Sequence, residues 1–212
     1  MARPRDQRPY NVRYYATHRN AEIDRVKKRQ AATLAWLREI RRRPCEDCGE
    51  MFPPYVMDFD HRDPTKKLFA VTTGSAHLMS REKLITEIEK CDIVCANCHA
   101  LRTFANLMER RRRSTPDEWA PGKSLRIAGQ RARWRATAAM LSEIRDVPCA
   151  DCGRRFPPCV MQFDHRDPTT KSYEVTRMLM RGRPVILAEV AKCDIVCTNC
   201  HRVRTYERRI AA

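Results

Sequence analysis

The chain writes the pair Cys-x-x-Cys four times, at Cys45/Cys48, Cys95/Cys98, Cys149/Cys152 and Cys197/Cys200. No other feature restricts its folding as much. Two such knuckles separated by a long insert make a closed tetrahedral set of thiolates, which suits a structural zinc ion. The order knuckle, insert, knuckle occurs twice. The spacing therefore predicts two Zn2+, one held by Cys45, Cys48, Cys95 and Cys98 and one by Cys149, Cys152, Cys197 and Cys200. Blocks this short bury little apolar surface, so metal binding would supply much of their folding energy. Cys91 and Cys193 match between the blocks and Cys159 has no counterpart; all three are expected to pack as small apolar residues.

The duplication extends beyond the cysteines. Thirteen of 18 positions are identical between Pro44–His61 and Pro148–His165, and nine of 10 between Lys90–His99 and Lys192–His201. The register shifts from 104 to 102 between these stretches, so the difference falls between Lys67 and Lys90. The organisation expected is a basic helical arm over 1–43, a first unit over 44–113, a linker and second basic helix over 114–147, and a second unit over 148–212. The linker is Ser114–Lys123, and Arg3–Asn11 reads as frayed.

Within each unit the pattern predicts an α+β fold. A helix built of good formers ends before Pro44 or Pro148. A short strand lies in "FPPYVMDFD" or "FPPCVMQFD", and a return strand in "LFAV" or "YEV". A second helix covers Arg81–Lys90 or Pro184–Lys192, and a third opens in "CDIVCANCH" or "CDIVCTNCH".

The net charge is +16. Residues 1–43 contribute +9 (13 basic against 4 acidic) and residues 109–147 contribute +5 (10 against 5). Such an excess points to a polyanion, with nucleic acid the commonest. No apolar run approaches the ~20 residues that span a bilayer and no apolar signal core follows Met1, so a soluble intracellular protein is expected, with no membrane partner.

Four of the six histidines sit at knuckle landmarks. His61 and His165 follow Asp60 and Asp164, and His99 and His201 follow the last cysteine of each set. Zinc held by four thiolates needs none of them. One carboxylate and one imidazole make a sparse site that leaves a hard cation open to water and phosphate oxygens, as Mg2+ prefers. An imidazole is also a competent base for activating water. These are the groups that phosphodiester hydrolysis needs.

"FDHRDP" with "CDIVCANCH", framed by two CxxC pairs, resembles the zinc-stapled members of the HNH, or ββα-metal, endonuclease family found in phages and bacteria. The likeness covers residues 44–113 and 148–209. It implies two tandem ββα-metal units, each preceded by a basic helix, and a metal-dependent DNA endonuclease acting in the cytoplasm of a bacterium or phage-infected cell. It implies His61 and His165 as general bases. Asp60, His99, Asp164 and His201 would be ligands of a catalytic Mg2+ or Mn2+, one per site. Many family members place an orienting Asn where this chain has Lys90 or Lys192. Asn97 and Asn199, inside the second knuckles, are either that functional Asn or local backbone hydrogen-bonding residues. Lys67, Arg102, Lys171 and Arg204 are candidate phosphate contacts; Arg102 and Arg204 lie one helical turn beyond His99 and His201. Two sites in one chain suggest a monomer with internal pseudo-twofold symmetry, one site per DNA strand. The rival reading is a non-catalytic zinc-stabilised DNA-binding protein.

Overall fold

The computed structural model describes residues 8–76, 79–113 and 125–211. The expected linker Ser114–Lys123 and His77 lie outside them. The chain divides into two compact units, one of Met1–Pro54 with Phe59–Ile93, the other of Tyr55–Asp58 with Val94–Ala212. The class is α+β, with helices and two small two-stranded sheets.

In the first unit, helix α1 runs without a break over Arg8–Ile40. The stretch expected to fray is thus helical from Arg8 onward; a proline in the first turn is tolerated because its missing N–H has no helical acceptor there. The helix ends before Pro44, as expected from proline's clash with the preceding turn. Its C-terminal part buries Leu37 against Val71, Leu84 and Cys91, with Trp36, Ile40, Phe59, Phe69, Met79 and Ile88 packed round them. A leucine fully removed from water contributes about 1.5–3 kcal/mol. Helices α2 (Val71–Ala76) and α3 (Arg81–Ile88) carry the facing residues. Ser80 caps α3 by accepting from the Lys83 N–H at 3.4 Å.

The strand β1 (Met57–His61) lies where the sequence put it, but its partner does not. The return strand expected at Leu68–Val71 and Tyr173–Val175 is absent from both repeats. The N–H groups of Leu68 and Phe69 donate to the Glu87 carboxylate at 2.8 and 3.4 Å. Those of Ser172 and Tyr173 donate to Glu189 at 2.8 and 3.0 Å. Amides captured by a carboxylate cannot also serve a ladder. The partner of β1 is β2 (Cys91–Cys95), the apolar run that ends on a knuckle cysteine.

The second unit holds α4 (Ala96–Arg113), α5 (Leu125–Ile144), β3 (Met161–His165), α6 (Arg183–Val190), β4 (Cys193–Cys197) and α7 (Thr198–Ala211). Strands β3 and β4 pair antiparallel, from Met161 opposite Cys197 to His165 opposite Cys193. One core gathers Leu141, Val175, Met178, Ile186 and Cys193, and a second gathers Cys149, Val160, Met161, Val196 and Cys197. Among the described residues no helix is long and apolar enough to cross a membrane.

Candidate functional site

The expected thiolate sets form. Within Cys45, Cys48, Cys95 and Cys98, and within Cys149, Cys152, Cys197 and Cys200, all four sulfurs lie within 4.8 Å of one another. Sulfurs bound tetrahedrally at ~2.3 Å stand ~3.8 Å apart, which lies inside that limit, so each set could hold a structural zinc ion. The sequence builds the knuckle locally. The Gly49 N–H donates to the Cys45 carbonyl and that of Gly153 to the Cys149 carbonyl, both at 2.9 Å. Each glycine then turns with φ near +70° (71° and 67°), a conformation that side chains with a Cβ rarely adopt. The Cys197 N–H points at the Cys149 sulfur at 3.2 Å. Burial would raise the Cys149 thiol, but the amides of Cys152, Cys197 and Asp151 outweigh it and hold it at about 7. That favours the thiolate a metal needs.

Cys91 and Cys193 behave as packing residues. Burial raises both thiols to about 11, and each points back at the carbonyl of Glu87 or Glu189, at 3.3 and 3.5 Å. Cys159 is half-buried and packs against the second core of its unit.

His61 and His165 end strands β1 and β3 and are 8% and 7% exposed. Each imidazole is tied through Nε2 to a buried glutamate, His61 to Glu87 and His165 to Glu189, both at 2.8 Å. Burial alone would raise the Glu87 carboxyl. Hydrogen bonds from Lys90, the Leu68 N–H, His61 and the Phe69 N–H overcome it and hold Glu87 at about 2. Lys192, the Tyr173 N–H, His165 and the Ser172 N–H do the same for Glu189, also at about 2. A carboxylate that is ionised can only accept, so a neutral imidazole here carries its proton on Nε2 and its lone pair on Nδ1. The arrangement fixes both the tautomer and the ring orientation.

These two glutamates were missed in the sequence, although it carried a signal for them. Both stand four residues before a matched cysteine, and they recur in register. Lys90 and Lys192 reach the same carboxylates at 2.7 and 2.8 Å.

Asn97 and Asn199 are placed otherwise. Each lies in the first turn of its helix, where an N–H has no intrahelical acceptor. The Asn97 N–H donates to the Asn199 side-chain oxygen and the Asn199 N–H to that of Asn97, both at 2.9 Å. Both residues are 6% exposed. The two knuckle helices therefore cap one another.

The remaining candidates differ between the repeats. His99 Nδ1 lies 2.8 Å from Asp58, whose carboxylate also takes both terminal nitrogens of Arg202, at 2.8 and 2.7 Å. A carboxylate on one ring nitrogen is the usual support of a metal-ligating histidine. In the second repeat Gln162 stands where Asp58 does, and its amide reaches Thr198 Oγ1 at 3.4 Å. His201 Nε2 lies 3.4 Å from Asp164, but Asp164 is already engaged. Arg208 binds both of its oxygens at 2.9 and 2.7 Å and Arg204 adds a third contact at 2.9 Å. This donor does not fit a divalent cation, because two guanidinium groups already neutralise it.

Arg204 also binds Asp151 and Asp194, so its guanidinium is turned inward onto three carboxylates. Lys67 and Lys171 are exposed, while Arg102 and Asp60 are half-buried. The expected turn after the Asp-His pair is present: Asp63 accepts from the Thr65 N–H at 2.9 Å and Asp167 from the Thr169 N–H at 2.8 Å. Arg62 and Arg166 fasten it to the carbonyls of Cys91 and Cys193, each at 2.9 Å.

Comparison with known proteins gives no matching family model, no matching curated protein and no matching solved structure.

Proposed function

We propose that the protein is a zinc-stapled, metal-dependent endonuclease that hydrolyses DNA phosphodiesters, with His61 as the general base of its first repeat. The single observation that carries this is the buried carboxylate–imidazole pair, Glu87 with His61 at 2.8 Å, repeated as Glu189 with His165. A zinc staple does not require it. An imidazole that must take a proton from water gains from a fixed tautomer and a fixed direction, and an ionised glutamate on Nε2 supplies both. The resemblance to HNH nucleases gives the same histidines the same role, with Glu87 and Glu189 doing what an Asn does in many of those enzymes. His99, whose Nδ1 lies 2.8 Å from Asp58, and Asp60 are the imidazole and the carboxylate that the resemblance assigns to Mg2+. When bound, that cation would stabilise charge on the phosphate oxygens. The +16 net charge supplies the sequence-independent attraction to a polyanion. We place the zinc ions in the two four-cysteine sets on the chemistry of their donors.

A second reading, a DNA-binding protein without catalysis, is favoured by one observation, the closure of Asp164 by Arg204 and Arg208. One assay separates the two. Supercoiled plasmid is incubated with the protein in Mg2+ or in EDTA. Conversion to open circle in Mg2+ alone supports the hydrolase. A mobility shift with no conversion in either buffer supports the binder.

A further inference from the structure

Each basic helix borders a groove with the short helix of its own repeat, and the groove is written twice. In the second repeat Arg133, Ala136, Thr137 and Met140 line it from α5, and Arg181 and Arg183 line it from the start of α6; its volume is about 300 Å³. In the first repeat Arg29, Ala32, Thr33 and Trp36 of α1 lie across from Arg81 and Leu84, around about 210 Å³. The four α1 positions are those of α5 shifted by 104, and Arg81 is Arg183 shifted by 102.

The charge of these grooves has one sign. Among the described residues no carboxylate lines either. Arg81, Arg133, Arg181 and Arg183 are exposed, and no carboxylate oxygen of the described residues lies within 4.0 Å of any of them. Glu82 feels the charge of Arg81 without pairing with it. Other arginines nearby are engaged: Arg166 fastens a turn, Arg177 pairs with Glu174, and Arg204 and Arg208 bind Asp164.

Two of the four are also held in direction. Arg81 lies over the Trp36 ring at 4.5 Å and Arg181 over the Tyr173 ring at 4.6 Å. A ring face takes the flat of a guanidinium and none of its N–H donors, which point outward in the plane. A fork held this way matches the paired oxygens of a phosphate.

We propose that the two grooves grip backbone phosphates of duplex DNA, the second through Arg133, Arg181 and Arg183 and the first through Arg81. This deepens the DNA reading above and rests on it. A groove made twice in one chain suits a ligand that repeats its own charge, and a phosphodiester backbone does so at every nucleotide. Contacts of this class carry no sequence information; they fix where the duplex lies. Arg204, a phosphate candidate by sequence, takes no part, because Asp151, Asp164 and Asp194 hold it inward.

The test is the salt dependence of duplex binding, read by fluorescence anisotropy without Mg2+ on full-length protein of verified zinc content. The parent is compared with Arg81→Ala/Arg133→Ala/Arg181→Ala/Arg183→Ala. A second variant loses the same charge at ion-paired arginines, Arg25→Ala/Arg112→Ala/Arg113→Ala/Arg177→Ala. Each phosphate contact adds ~0.9 to the slope of log affinity against log salt, so the groove variant should flatten that slope by about 3–4 and the matched variant by less than about 1. A groove variant that keeps the parent's slope, or a matched variant that flattens it as much, overturns the grooves while the parent's binding leaves the DNA reading standing. A groove variant that loses only its hold on anionic vesicles, run beside the DNA, overturns them too. A parent that binds no duplex overturns both readings. Should the groove variant lose zinc, Arg133→Ala/Arg183→Ala, which disturbs no ring contact, is expected to flatten the slope by about 2, and an unchanged slope there counts against the grooves equally.

Discussion

Glu87 and Glu189 are the residues on which the account turns. Each is buried, each is held ionised at about 2, and each sits on the Nε2 of a histidine. Removing one member of a buried, hydrogen-bonded charge pair typically costs about 3–5 kcal/mol. Glu87→Ala should therefore lower stability by that order, seen as an earlier denaturant midpoint. Glu87→Gln keeps the shape and an acceptor, so it should fold better than the alanine variant and cut more slowly than the parent without loss of DNA affinity. Equal cutting by Glu87→Gln and parent would leave the pair purely structural. The pH dependence follows from the sign of the shift. The folded-state value lies below the ordinary 4.5, so the stabilisation is complete above that pH and is lost as pH falls from there toward 2. Acid also protonates the zinc thiolates, in parent and variant alike. The informative quantity is thus the difference in acid unfolding between parent and Glu87→Gln/Glu189→Gln, which should shrink as the pH drops.

At the scale of elements, the knuckle helices α4 and α7 are joined by two asparagines whose amides cap each other's first turn. Leaving a buried N–H without a partner costs about 1–3 kcal/mol. Asn97→Ala and Asn199→Ala should each lower stability by this amount. In a double-mutant cycle the pair should show coupling, because each substitution strips one acceptor from the same contact. Additive losses would mean that the reciprocal bonds contribute nothing jointly. The sequence disclosed most of these elements. The helices before Pro44 and Pro148, strands β1 and β3, and the helices after the last knuckle all lay in patterns of strong period or clear punctuation. The partner strand was misplaced for a specific reason. "LFAV" and "YEV" have strand composition, but their backbone amides are claimed by Glu87 and Glu189, a long-range contact that local propensity does not encode. "CDIVC" was read as part of the segment that opens the third helix, though it is the strand that carries the first cysteine of the second pair.

For the whole molecule, the cysteine sets were legible because metal ligands announce themselves by spacing, and the internal duplication served as its own control. The state of each site was not legible. Arg208, outside the shared motifs, grips both oxygens of Asp164, and Gln162, in the place of Asp58, turns to Thr198. Zinc removal by a strong chelator should unfold the chain, lost near- and far-ultraviolet dichroism marking it; a fold that survives complete zinc loss would contradict the staple. DNA affinity should fall steeply and linearly in log–log form with added salt, as expected when Lys and Arg displace counterions. The most direct measurement of the central claim is cleavage of supercoiled plasmid by full-length protein in Mg2+, beside an EDTA control and the His61→Ala variant. The parent is expected to release open circle in Mg2+ alone, and His61→Ala, with zinc content and DNA affinity retained, to slow this by about 10²–10⁴-fold. A parent that leaves the plasmid supercoiled, or a His61→Ala variant that cuts at the parent's rate, would contradict it.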